Sequence, residues 1–456
     1  MIRSPSGSAL YGNATPPGLP TEPLIINVCP TGNVLDRAAS PHVPLSAAEI
    51  IDDALAVIAA GASMIHIHAR DAGGRPSSKP EHFAPILEGI RRHAPDAILT
   101  VTTSGRSTRD PALRAAVLDL DGAAKPDMAS LSLGSLNFPT GASANDPETI
   151  VMLCQRMRER GIVPELEAFE MGWINYAFHL QRRGHLPKIC YINLLLGSLG
   201  SMPGRIEDLA AMARELPDGW SWAGAGIGRH QLPINTAAII MGGHVRVGLE
   251  DNPFHDFARR SPATNVSLVQ RLARIAGELG RQLASPRQAR TRLRLGDPAN
   301  WEESFVAIRR MTTADIAAAT ALLAQWNMAP VTSDSGIVDP EEGPLDPECG
   351  FVAYHGARLV GVAAYLLRDP IHGETRSLAV DPDYLGCGIG HRLQEARLAA
   401  MHDLGIAHVR TECDRTETIH WYVSRFGYRI SGSKRKKHPF SLATEDHWTL
   451  LDLDLR

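Results

Sequence analysis

Three things are scarce in this 456-residue chain: paired cysteines, long apolar runs and an excess of charge of either sign. The six cysteines (Cys29, Cys154, Cys190, Cys349, Cys387 and Cys413) are scattered, with no CxxC pair. That spacing argues against a disulfide scaffold or a cysteine-only zinc site and suits a reducing compartment. No apolar run approaches the roughly 18–20 residues that a membrane-spanning helix needs. The 46 Lys and Arg against 50 Asp and Glu leave a formal net charge of −4, which argues against a general nucleic-acid binder. Residues 1–22 lack the apolar core of a secretory signal and, rich in Ser, Gly and Pro, predict a disordered leader. A soluble cytoplasmic protein with neither nucleic-acid nor membrane partners is expected, with no internal repeats.

What is present is an alternation. Candidate strands at Leu24–Cys29, Ser63–His68, Ile98–Thr102, Met128–Ser132, Ile162–Ala168, Lys188–Leu194, Trp220–Ala223 and His244–Leu249 are separated by amphipathic or Ala-rich stretches. Ser46 and Glu49 form a capping box for the first helix, and Gly61 stands at its end. Eight strand–helix units predict an α/β fold, a (β/α)8 TIM barrel over residues 23–296 with Pro286–Gly296 as closing helix. An open doubly wound sheet shares that rhythm, because periodicity does not reveal closure. Residues 297–303 read as a linker.

From Ser304 the rhythm changes to a strand (Ser304–Arg309), a helix (Thr313–Asn327) and a meander. The meander strands Phe351–Tyr354, Leu359–Leu367 and Glu374–Val380 are separated by turn-like His355-Gly356 and His372-Gly373. A helix (Ile389–Leu404), a strand (Ala407–Cys413), a helix (Thr416–Phe426) and terminal strands complete an α+β domain over 304–456.

His66 and His68 lie two apart on a strand, so both imidazoles face one side. They are half of a zinc site, or two polar residues of a barrel interior. Glu250, at the end of the last strand, can complete a His₂-carboxylate set with an open position, since strand ends converge on the C-terminal face of a barrel. Arg246 lies on the same face and suits bidentate capture of a substrate carboxylate. Asp251 can act as a base if the turn aims it inward; otherwise it pairs with Arg246. Thr102, Thr103, Ser104, Ser130 and Ser132 either hold substrate oxygens or cap strand ends. Glu165 and Glu167 share one face of a strand, as partners that orient a His or as acids paired with Arg.

IHIHARD (Ile65–Asp71), ASLSLGSLNF (Ala129–Phe138), PELEAFEMG (Pro164–Gly172), AGAGIGRHQL (Ala223–Leu232) and GGHVRVGLEDN (Gly242–Asn252) resemble, in order, the β-keto acid cleavage enzymes of the 3-keto-5-aminohexanoate cleavage enzyme type. The resemblance implies a zinc-bearing TIM barrel that condenses a β-keto acid with acetyl-CoA, giving acetoacetate and a new acyl-CoA. By position it implies zinc on His66, His68 and Glu250, substrate binding by Arg246 and acid/base work by Asp251. In that type an acid shortly after the first strand recognises the substrate's amino group. This chain has Asn33-Val34-Leu35 there, and its first acid is Asp36, so a different β-keto acid is expected. Related barrels commonly assemble, so a homo-oligomer is expected too. A metal-dependent aldolase or lyase that ignores CoA is the alternative reading of the barrel.

The run LAVDPDYLGCGIGHRL (Leu378–Leu393) follows a strand and opens a helix. Glycines there let backbone N–H groups approach a phosphate at a helix N-terminus. With WYVSRFGYRI (Trp421–Ile430) it resembles a GNAT-type N-acetyltransferase. That implies an acetyl-CoA site at Val380, Gly386, Gly388, Ile389 and Gly390. It also implies Tyr422 as the acid that protonates the leaving thiolate, Glu374 as base, and a small-molecule amine as acceptor. Leu385 stands where the family carries Arg or Gln, which removes one polar contact and keeps the backbone cradle; a non-catalytic acetyl-CoA sensor is the alternative. Lys434–His438 reads as a solvated hairpin loop or an attractor for CoA phosphates.

Overall fold

Eight parallel strands, β1 (Ile26–Val28), β2 (Met64–Ile67), β3 (Ile98–Val101), β4 (Met128–Ser132), β5 (Val163–Ala168), β6 (Tyr191–Leu196), β7 (Ser221–Gly226) and β8 (His244–Val247), pair in sequence order. β8 returns to β1 through Asn27 beside Arg246, so the sheet is a closed barrel rather than an open one. In this computed structural model the described residues are 20–106, 108–139, 141–302, 306–328, 345–437 and 440–455. Most of the expected leader (1–19), residue 303 of the linker, Ser304 and His438 lie outside them. The chain divides into two compact units, one reaching Trp301 (bar the short stretch 182–184) and one from Glu302 to Arg456. Among the described residues no helix is long and apolar enough to cross a membrane.

The barrel strands are buried along their whole length except at Ser132 and Trp222, because helices cover the outside and side chains fill the inside. Val28, Ile65, Ile67, Leu99 and Val101 belong to one apolar layer with Ile50, Ala54, Val57, Ile86 and Ile90 of the first two helices. At the strand starts, Ile25, Met64, Ile98, Met128, Val163, Tyr191 and Ala223 form an apolar floor, joined by Ala284, Ala289 and Leu293 of the closing segment. His66, Glu165, Asn193 and Arg246 stand on the inward face above that floor. The expected strand Lys188–Leu194 starts three residues later, at Tyr191. The Lys188 and Ile189 amides are instead taken by the backbone and side-chain oxygens of Asn300, both at 2.8 Å.

The second unit is a seven-stranded sheet of β9 (Val306–Arg310), β10 (Gly350–His355), β11 (Arg358–Leu367), β12 (His372–Val380), β13 (His408–Cys413), β14 (Arg429–Arg435) and β15 (His447–Asp454), in the order β9-β10-β11-β12-β13-β15-β14. Only β12 and β13 are parallel, and they pair over His372–Thr375 alone before parting. The β11–β12 ladder gains one extra β12 residue between the pairs Ala364–Arg376 and Val362–Ala379, where Ser377 has φ 51°. The turn expected at His372-Gly373 lies earlier, because the Asp369 carboxylate accepts from the amides of Ile371 and His372 at 2.9 Å. Gly373 is inside the strand instead, where a Cβ would meet Met401 at 2.8 Å.

Candidate active sites

Strand alternation turns His66 inward on β2, and His68 just beyond its end joins it, with the two Nε2 atoms 3.3 Å apart. The Glu250 Oε1 atom stands 3.3 Å from His68 Nε2, and one donor atom from each of the three residues falls within 4.8 Å of the others. Gly32, at φ 67°, lets the chain pass against this carboxylate; a Cβ there would meet Glu250 Cγ at 2.7 Å. The second carboxylate oxygen, Glu250 Oε2, is buried without a hydrogen-bond partner. Two imidazole nitrogens and a carboxylate with one orphaned oxygen form a donor set suited to a divalent cation such as zinc.

The outer nitrogens of both imidazoles are held. Glu165 Oε2 lies 2.7 Å from His66 Nδ1, and Asn193 donates to the other Glu165 oxygen at 2.7 Å. Asn33 Oδ1 lies 3.0 Å from His68 Nδ1. Each contact fixes the Nδ1–H tautomer and leaves Nε2 as the lone-pair side, the arrangement metal-ligating histidines use. Burial disfavours charge on both rings. At His66 the Glu165 carboxylate outweighs it and the pKa rises, whereas at His68 burial prevails and the pKa falls. Glu165 is itself lowered to about 2: burial resists ionisation, but His66, Arg246 and the Asn193 amide outweigh it.

Arg246, on β8, is 2% exposed and engages three carboxylates: Glu167 at 3.1 Å, Glu250 at 3.2 Å and Asp251 at 3.2 Å. The two strand-five acids therefore differ in role: Glu165 orients His66, and Glu167 pairs with Arg246 while accepting from Ser132 at 2.7 Å. The Asp251 carboxyl is pushed up to about 6, first by burial and then by the Glu250 charge, with Arg246 opposing.

A cavity of about 520 Å³ opens onto these groups. Of the expected hydroxyls, Thr102, Ser104 and Ser132 line it. Thr103 and Ser130 do not; they hydrogen-bond to each other's backbone, Thr103 Oγ1 to the Ser130 carbonyl at 2.6 Å and the Thr103 amide to Ser130 Oγ at 3.1 Å. Sequence reading missed Asn33 as a partner of His68, Asn193 as a partner of Glu165, and the cavity-lining Arg106, Arg229 and His230. Asn33 left a signal, since it stands where an acid was expected, and so did Arg229 and His230, which fall within the AGAGIGRHQL stretch.

In the second unit, a cavity of about 690 Å³ lies where β12 and β13 part, lined by Glu374, Val380, Gly386, Gly390 and Tyr422 among others. Gly388 and Ile389 are not on its wall. Gly386 and Gly388 take φ 74° and 76°, and Gly388 caps the helix Ile389–Asp403 with no side-chain hydrogen bond. The first amides of that helix therefore keep their donors for a ligand. Leu385 is 55% exposed. Glu374 is engaged by Arg368 through two nitrogens at 2.6 and 2.8 Å. Tyr422 is buried and accepts from Arg397 at 3.0 Å. Of the basic cluster, Lys434 pairs with Glu412 at 2.9 Å and Lys436 with buried Asp414 at 2.7 Å, while Lys437 lines the cavity.

A closed parallel barrel with two histidines, a carboxylate and a caged arginine at its C-terminal rim is a (β/α)8 enzyme. The family profile described as beta-keto acid cleavage enzyme matches residues 23–295, and the chain belongs to that family. A second profile, the acetyltransferase (GNAT) family, matches residues 318–428, and the chain carries this domain at its C-terminal end. The 3-oxoadipate:acetyl-CoA acetyltransferase of Cupriavidus necator is 39% identical over 279 residues, 60% of this chain and 96% of that protein. The 3-keto-5-aminohexanoate cleavage enzyme of Fusobacterium nucleatum is 38% identical over 275 residues, 60% of this chain and 98% of that protein. A solved ternary complex of ObcA with a C4-CoA adduct and oxalate shares the fold: TM-score 0.52, 20% identity, 56% of this chain and 68% of that one.

Proposed function

We propose that the barrel condenses a β-keto dicarboxylic acid with acetyl-CoA around a zinc ion held by His66, His68 and Glu250, and that the second unit transfers acetyl from acetyl-CoA to a small-molecule amine. The convergence of those three donors beside the unpartnered Glu250 oxygen carries the first reading. In balance, the carboxymethyl carbons of the keto acid join the acetyl group as acetoacetate, and the remaining acyl group passes to the CoA sulfur. With 3-oxoadipate the product is succinyl-CoA.

The bound cation would supply positive charge beside the keto oxygen as negative charge develops there, a contribution of several kcal/mol. The protein's own groups do the rest. Arg246 exchanges one of its caging carboxylates for the carboxylate of the substrate, an interaction its fork matches bidentately. Asp251, held near neutrality by burial, takes and returns the proton, which contributes roughly 10²–10⁴-fold. Thr102, Ser104 and Ser132 offer hydroxyls to substrate oxygens.

The substrate class rests on the cavity wall. Its acids are Glu167, Glu250 and Asp251, all paired with Arg246, while Arg106 and Arg229 are further cations on the same wall. Arg229, with each acid of the described wall paired to Arg246, favours a substrate with a second carboxylate, as in the Cupriavidus relative's name, over the amino-keto acid named for the Fusobacterium relative.

The test uses isotope-labelled acetyl-CoA, zinc-loaded protein and a panel of β-keto acids with a carboxylate, amino or alkyl end. Label in acetoacetate, fastest with the dicarboxylate, supports the barrel reading; no label with any acid in metal-replete protein overturns it. Label in an N-acetyl product supports the second unit as a working acetyltransferase.

A further inference from the structure

The largest fully buried side chain among the described residues is a cation with no carboxylate among its hydrogen-bond partners there. Arg397, on the helix that follows the glycine turn, has zero exposure. Its Nη1 donates to the carbonyls of Ala364 at 3.0 Å and Arg376 at 2.8 Å. Its Nε donates to Gln394 Oε1 at 2.7 Å, and its Nη2 donates both to that oxygen and to Tyr422 Oη, the latter at 3.0 Å. A guanidinium has five N–H groups and no acceptor, so every donor is committed and none can turn. Gln394 is locked in turn, its amide nitrogen donating to Tyr428 Oη at 3.1 Å.

Two consequences meet at the cleft. Because Arg397 can only donate, the Tyr422 oxygen must accept from it, and the phenolic proton has to point elsewhere. Tyr422 lines the cavity, so the cavity is the open direction for that proton. Ala364 and Arg376 are a cross-strand pair immediately before the extra residue at Ser377, so Arg397 also spans the ladder where it is interrupted.

We propose that Arg397 is the positioning residue for acetyl transfer: it fixes the Tyr422 hydroxyl as a donor into the cleft and pins the interrupted β11–β12 ladder beside it. The idea rests on the second unit being a working acetyltransferase. In the step it serves, the amine nitrogen forms a bond to the thioester carbonyl carbon and the C–S bond breaks. The Tyr422 proton passes to the departing sulfur, and the tyrosinate regains a proton from the nitrogen that has just acylated. A neutral partner that could also accept would let the hydroxyl swing away; a guanidinium does not.

The test measures kcat and KM for acetyl-CoA on full-length protein, using the fastest amine from a panel of polyamines, amino sugars and peptide amines. Arg397→Met and Tyr422→Phe should each lower kcat about 10²-fold, the lower end of general-acid contributions, with KM moving less than threefold. The double variant should be no worse than either single one, since both remove the same proton delivery. Arg397→Lys, which keeps the charge and part of the donation, should fall between. Unchanged kcat in Arg397→Met, or losses that multiply in the double variant, would overturn the proposal while leaving the acetyltransferase reading standing. If Arg397→Met does not fold, the cycle of Arg397→Lys with Tyr422→Phe decides in the same way. A wild-type protein that binds acetyl-CoA and acetylates nothing in the panel overturns both.

Discussion

Each unit of this protein buries an arginine to 2% exposure or less, and the two are compensated in opposite ways. Arg246 sits among three carboxylates, whereas Arg397 sits among two carbonyls, an amide oxygen and a phenol. A cation caged by acids is balanced in charge, and any of those acids can yield its place to an incoming carboxylate. A cation held by neutral acceptors has no partner to exchange. The first arrangement suits a group that binds substrate; the second suits a group that fixes the geometry of its neighbour.

The comparison can be broken most sharply at Arg246. Arg246→Met leaves the buried Asp251 and Glu167 carboxylates without their counter-charge and should cost about 3–5 kcal/mol near neutral pH. Chemical denaturation should show the deficit shrinking as pH falls, because the Asp251 carboxyl, already raised to about 6 by burial, then neutralises. Asp251 should give barrel turnover an acidic limb near pH 6: burial raises its pKa, so below that value it is protonated and no longer takes a proton. A pH–rate profile of acetoacetate formation reads this directly.

Arg397→Lys breaks the fork and should cost about 1–3 kcal/mol for an acceptor left unpaired, with no pH dependence between pH 5 and 8, since neither a carboxylate nor an imidazole is among its hydrogen-bond partners. A deficit that tracks pH as the Arg246 one does would erase the distinction between the two arginines. Asn33→Ala removes only the partner of His68 and should weaken zinc binding about 10–100-fold, measured by competition with a chelating dye. The smallest effect is expected at exposed Leu385, where Leu385→Gln adds one polar contact and should tighten acetyl-CoA binding by about threefold in calorimetry, within the 0–1 kcal/mol of a surface interaction.

Much of this architecture is legible in the sequence. The strand rhythm, the His66/His68 pair and the Glu250-Asp251 ending can be read because each is a local pattern repeated at strand period. The roles of Glu165 and Glu167 cannot be separated that way. A period of two says that they share a face, not that one meets an imidazole from β2 and the other a guanidinium from β8. Thr103 and Ser130 fail as cavity residues for a related reason, since each satisfies the other across the β3–β4 boundary. Arg397 leaves no mark at all: it is one arginine on an ordinary helix until the sheet packs over it. His372-Gly373 misleads as a turn because Asp369, three residues earlier, already supplies the oxygens that bend the chain.

The barrel's donor triad straddles the seam of the cylinder. His66 and His68 come from β2 and its end, Glu250 follows β8, and β1 runs between those two strands in the sheet. On a ribosome the two imidazoles emerge nearly two hundred residues ahead of the carboxylate, counting from 66 to 250. A nascent chain therefore holds an incomplete donor set through most of the barrel's synthesis. An ion held by this triad would reach its full affinity together with the last staves of the barrel, so that capture would mark closure rather than guide it.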